Sequence, residues 1–70
     1  MLFSSAHIAK VLQQKGFFYV SQKGSHAKFR KVVGNKKWTV IVPAGKREVP
    51  HGTFKSMLRQ AGLQEKDFNN

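Results

Sequence analysis

The chain has no cysteine, so neither a disulfide nor a thiolate metal site can staple it. Acids are scarce as well. Glu48, Glu65 and Asp67 are the only three, too few and too scattered for a carboxylate cage, and no metal or other cofactor is expected. No apolar run comes near the roughly 20 residues that a membrane span needs. The N-terminus lacks a basic segment followed by an apolar one, so no export signal is legible and a cytoplasmic location is expected. Proline occurs twice, at Pro43 and Pro50, and both fall in one short stretch that reads as a loop.

Positive charge is abundant. Thirteen Lys and Arg stand against the three acids, for a formal net charge of +10 in 70 residues. Such a field draws in polyanions and speeds encounter with them. A nucleic acid or an acidic protein surface is therefore the expected partner. A membrane surface fits less well, because the cations are spread along the chain and not gathered on one amphipathic helix. An apolar share of 40% suits a globular domain and is too high for a disordered tail. The length allows one domain, residues 1–70, that buries only about 60% of its unfolded surface. Its core must be thin and built from aliphatic and aromatic packing.

Ser4 is placed to cap a helix running to about Lys15, with Phe3 able to staple onto Ile8. Ile8, Val11 and Leu12 make a narrow apolar stripe, and Gly16 suits a left-handed stop. His7 and Lys10 lie off the stripe and read as solvated. Phe17 to Gln22 is aromatic and β-branched enough for a strand. Lys23-Gly24-Ser25 reads as a tight turn, His26 to Val33 as a second strand, Gly34-Asn35 as a turn, and Lys37 to Val42 as a third strand. Trp38, Val40 and Val42 share one face of that strand. Pro43 to Gly52 is the loop. Thr53 to Ala61 is a second helix with Phe54, Met57, Leu58 and Ala61 on one buried face and Lys55 and Arg59 opposite. Gly62 stops it, and Leu63 can fold back on Leu58. Gln64 to Asn70 forms one more turn anchored by Phe68, or frays. The order is α-β-β-β-α. An α+β fold follows, with a three-stranded antiparallel meander and both helices on one face.

One stretch carries the chemistry. In an extended strand His26, Lys28 and Arg30 share a face, while Ala27 and Phe29 point the other way. Parity puts Phe29 beneath the helices and His26 outside. An imidazole ordinarily titrates near neutrality. Beside two fixed cations it is equipped to meet a phosphodiester and move a proton on it. Trp38 and Tyr19 admit two readings, core packing or a platform for stacked bases. For Trp38 in so small a core, packing is the expectation.

Gly24-Ser25-His26 with Phe29, then Val42-Pro43, then the run Gly52 to Leu63, resemble the HicA-type toxins of bacterial toxin-antitoxin pairs. Leu12 with Gly16-Phe17 also fits, and the likeness covers nearly the whole chain. The resemblance implies a fold like that of double-stranded-RNA-binding domains. It implies an endoribonuclease that cuts messenger RNA and stops translation, with its catalytic histidine at His26. It also implies a HicB-type antitoxin covering the active face, and the +10 charge predicts that the covering surface is acidic. One departure stands out. Many members carry a second histidine just after Val-Pro, and here Ala44-Gly45 occupy that place. His51 is the nearest later histidine, and no role is carried onto it.

For RNA lying on the open sheet face, the least demanding cleavage uses the RNA's own 2′-hydroxyl, with His26 as general acid/base and no metal. Lys23, Lys28 and Arg30 would hold the phosphate, with Gly24 and Ser25 at the turn beside it. The leaving oxygen also needs a proton, and a lysine, water or His26 itself could supply it. The rival reading is a non-catalytic RNA-binding module of the same fold, which would bind and leave its RNA intact. A DNA-binding role has no helix-turn-helix pattern behind it.

Overall fold

A computed structural model describes residues 2–69. The first helix, α1, runs over Ser5–Gln14. Ser4 caps it by accepting the His7 N–H, as a serine before an apolar stripe should. Ile8, Val11 and Leu12 are buried along it. Gly16 follows with φ +96, a conformation that stops a helix and suits glycine. Phe17 is not in the first strand. Its N–H bonds back to the Leu12 carbonyl (2.9 Å) and its ring is buried, so the strand begins one residue later than the pattern suggested.

Three strands follow: β1 (Phe18–Lys23), β2 (His26–Val33) and β3 (Lys36–Pro43), in spatial order β1-β2-β3 and antiparallel throughout. Both hairpins turn on two residues. Gly24 (φ +60) and Gly34 (φ +59) each hold the first central position, and Ser25 and Asn35 keep ordinary angles. That is the requirement of a type II′ turn, whose twist matches the strands it joins. The β1–β2 ladder slips at Val20, between Tyr19 and Ser21. The slip re-aims β1, so Tyr19 lies edge-on to Phe29 on the helix side while Phe18 faces the other way beside Arg30.

The loop after β3 is fastened to α1. Ser5, itself buried, donates its hydroxyl to the Pro43 carbonyl and accepts the Lys46 N–H, and its own N–H reaches the Lys46 carbonyl (2.9 Å). Helix α2 spans His51–Ala61, two residues earlier than its apolar periodicity indicated; Pro50 stands at its N-cap and its carbonyl accepts the Phe54 N–H (2.9 Å), the first bond of the helix. Phe54, Met57 and Ala61 are buried on it. Leu63 N–H bonds to the Leu58 carbonyl (3.1 Å) in a Schellman close, and Lys55 and Arg59 are exposed as the pattern required. Ala27, Phe29, Val40 and Val42 from the sheet join both helices in one core. The observed architecture is therefore the expected one: α-β-β-β-α, with a three-stranded antiparallel sheet whose inner face packs on two helices.

Trp38 belongs to that inner face. It packs against the core, with Lys36 over its ring at 4.3 Å. A Cβ at Gly62 would stand 2.6 Å from Trp38 Cζ3, and Gly62 has φ +67. Two separate reasons therefore demand glycine there. Gly62→Ala is expected to cost about 1–3 kcal/mol and to lower Tm by at least about 5 °C. An unchanged melting curve would mean that the indole is seated elsewhere.

The C-terminal residues form a short turn, α3, a 3₁₀ helix over Glu65–Phe68, so Phe68 does anchor a turn; Asn70 lies outside the described residues. Asp67 accepts the Gln64 N–H (2.8 Å) and lies 3.5 Å from Lys15 Nζ. That backbone hydrogen bond, helped by Lys15, holds the Asp67 carboxyl below the usual carboxylate range. His7 differs from its expected solvated role. It is half-buried, stacks on Phe3 with ring centroids 5.0 Å apart, and its Nε2–H donates to the Phe68 carbonyl (2.7 Å). A carbonyl only accepts, so Nε2 carries the proton. The returning chain covers the first turn of α1, which no local pattern could show.

Candidate functional site

The site begins at the first hairpin. Gly24 and Ser25 form its tip, and Gln22 Nε2–H donates to the Gly24 carbonyl (3.0 Å) to brace it. The Ser25 carbonyl accepts the Ala44 N–H (2.7 Å), which ties the tip to the end of β3. His26 therefore opens the central strand at a place held from both sides. It pairs with Lys23 on β1 and with Pro43 on β3, and it is exposed.

Alternation does the rest. Ala27 and Phe29 are buried, and the half-buried Lys28 and Arg30 follow His26 on the outer face. Across the ladder Lys28 pairs with Ser21 and Ile41, and Arg30 with Phe18 and Thr39. Arg30 Nε–H reaches Thr39 Oγ1 at 3.4 Å, a weak bond and the one side-chain bond Arg30 makes among the described residues. Lys23, His26, Lys28 and Arg30 thus share one outer surface. Only Lys23 is directly opposite His26, at about 4.5–5.5 Å between Cα atoms; Lys28 and Arg30 lie about 7 and about 13 Å further along β2, so the row of groups can follow one phosphate and its neighbours along a backbone.

Neither of the two aromatics considered as stacking platforms is on that surface. Trp38 and Tyr19 both lie on the helix side. The aromatic that does lie beside the cations is Phe18, 51% exposed and opposite Arg30. The bulge at Val20 decides this, and no sequence signal marks the bulge.

His26 also borders a groove that sequence reasoning missed. It runs between the outer edge of β3 and α2, has a volume of about 320 Å³, and is lined by Ile41, Lys46, Thr53, Ser56 and Gln60 among others. Gln60 Oε1 accepts the Ile41 N–H (3.0 Å), so α2 satisfies an amide of the open sheet edge. The available signal was Thr53, Ser56 and Gln60 at i, i+3 and i+7, a small polar face on a helix otherwise apolar or cationic. His51 is exposed at the start of α2 and does not line the groove. Ala44, at the place of the missing second histidine, gives the site only its backbone.

Among the described residues no three His, Asp or Glu side chains cluster as a metal site would require, and no helix is long and apolar enough to cross a membrane. None of the curated proteins matches the chain. The family model for the HicA toxin of bacterial toxin-antitoxin systems matches residues 5–63. That span runs from the first residue of α1, through the sheet and the His26 hairpin, to the close of α2. The chain belongs to the HicA toxin family, and as such it is the toxin of a toxin-antitoxin pair with an antitoxin for its partner.

Proposed function

We propose that the toxin is an endoribonuclease that cuts messenger RNA on the outer sheet face, with His26 as its general acid/base. The observation that carries this reading is the exposed imidazole on the same surface as Lys23, Lys28 and Arg30. RNA brings its own nucleophile. His26 takes the proton from a 2′-hydroxyl, whose oxygen then bonds to the adjacent phosphorus. The P–O5′ bond breaks, leaving a 2′,3′-cyclic phosphate on one fragment and a 5′-hydroxyl on the other. A general base in this position contributes about 10²–10⁴-fold. Lys28 and Arg30 stabilise charge growing on the non-bridging oxygens. The leaving O5′ takes its proton from water, from His26, or from a neighbouring ammonium such as Lys23. With Ala44-Gly45 and no histidine after Val42-Pro43 to donate, the enzyme is slow.

Phe18 gives a base a flat surface on the same face, and stacking of this kind is worth about 1–3 kcal/mol per base. The reaction needs no metal in this scheme. A cytoplasmic site of action follows from the substrate. The cognate inhibitor is a HicB-type antitoxin whose acidic surface covers the cations and the imidazole together, and the net charge of +10 supports that complementarity.

The test is a purified chain with RNA, chelator present. Cleavage is expected to persist, to leave cyclic phosphate ends, and to fail on RNA methylated at the 2′-position. Binding is expected to weaken steeply as salt rises, because the protein's cations displace counterions from several phosphates into solution. Loss of cleavage with chelator, or cutting of the 2′-methylated strand, would overturn the mechanism. Salt-sensitive binding with intact RNA would make the chain a non-catalytic RNA-binding module.

A further inference from the structure

The groove between β3 and α2 has the composition of a nucleobase site. Its walls are mainly apolar, from Ile41, Met57 and the two prolines, and they suit the faces of a flat ring. A few polar groups stand among them at fixed positions. Thr53 and Ser56 each offer a hydroxyl from one face of α2. Gln60 is held by the Ile41 N–H through its oxygen, so its amide nitrogen keeps two donors for a ligand at a settled position. Lys46, also on the lining, is held at its backbone by Ser5. His26 is part of the same lining.

We infer that this groove takes the base of a nucleotide flanking the scissile phosphate in single-stranded RNA, and that Thr53, Ser56 and Gln60 set the base preference of cleavage. The inference rests on the ribonuclease reading for its meaning, but the base site can be tested without catalysis. Single-stranded RNA is the ligand because only unpaired bases can swing out to present their edges in a pocket. A backbone phosphate alone would have no use for the apolar walls. A protein side chain could fill them, yet the groove shares His26 with the outer face and its Ile41 is paired with Lys28, which sets a bound base beside the phosphate those groups would hold.

The experiment is nuclear magnetic resonance titration of the wild-type chain with 2′-O-methyl homotetramers of A, C, G and U, which the proposed mechanism cannot cut. Amide signals of Ile41, Thr53, Ser56 and Gln60 are expected to move, and the tightest tetramer to bind at least about fivefold better than the weakest, the value of one good hydrogen bond. Thr53→Val and Ser56→Ala, checked for an unchanged Tm, are expected to reduce that ratio to below about twofold. Shifts confined to the outer sheet face would overturn the inference, as would a base preference that survives both substitutions. A polyglutamate peptide that moves the groove signals when the tetramers do not would assign the groove to a protein partner and overturn it too. Failure of the wild-type chain to cut unmodified RNA, with the groove signals still responding to base identity, would remove the ribonuclease reading and leave the base site standing. Cleavage with a silent groove would do the reverse.

Discussion

Cells expressing the His26→Ala chain without its antitoxin are expected to keep growing, and the purified variant is expected to fold like the wild type. The imidazole is exposed, and its neighbours on the strand, not the ring, make the core contacts. Replacing a surface side chain of this kind shifts stability by no more than about 0.5 kcal/mol. The chemical effect should be far larger. Removing a general base lowers the rate by about 10²–10⁴-fold, and for a slow enzyme that takes cleavage below detection on a gel. Lys28→Ala should act on both steps, weakening RNA binding and its salt dependence and also slowing cleavage, by less than His26→Ala does. A His26→Ala chain that remains toxic and still cuts RNA would move the base elsewhere. One that unfolds would mean that the ring is needed to open the strand. Thermal melting, growth curves and RNA integrity measured in parallel separate these results.

Phe68→Ala should weaken toxicity for the opposite reason, through stability and not through chemistry. Phe68 is 2% exposed, stands edge-on to Phe54 with ring centroids 5.1 Å apart, and lies 6.1 Å from Phe3. Its carbonyl accepts the His7 proton. Removing a buried phenyl ring costs about 3–5 kcal/mol. The whole stability of a seventy-residue domain is about 4–10 kcal/mol. The variant is therefore expected to lose at least about a third of that stability, with Tm lowered by at least about 12 °C. His26→Ala should show none of this. Phe68 also lies beyond residues 5–63, the span that the family model matches. A Phe68→Ala chain that melts like the wild type would show that the terminal turn is not docked in solution.

Much of this molecule can be read from short-range pattern. The apolar stripes of α1 and α2, the glycines that end them, and the parity that sends Phe29 inward and His26 outward are all local statements. They hold because side-chain direction is set by backbone period alone. The element edges moved by one or two residues where a local bond outweighed propensity. Phe17 turns back to Leu12, and Pro50 begins α2 before its first buried residue. The role of Trp38 was also legible, since a lone indole in a thin core has few other places to go.

Contacts between distant residues are another matter. Ser5 fastening the loop at Pro43 and Lys46, His7 meeting Phe68, and Gln60 closing the edge of β3 join positions 19 to 61 residues apart, and no periodicity encodes them. The Val20 bulge belongs with these, because a change of register is settled by both strands at once. It decides that Phe18 and not Tyr19 stands by the cations. By itself the sequence determined the order of elements, the sign of the charge and the face on which the imidazole emerges. Only the tertiary structure decided what that imidazole stands next to. Backbone geometry fixes which way a side chain points, but its neighbours depend on how separate segments pack, and that is chosen by the whole core together.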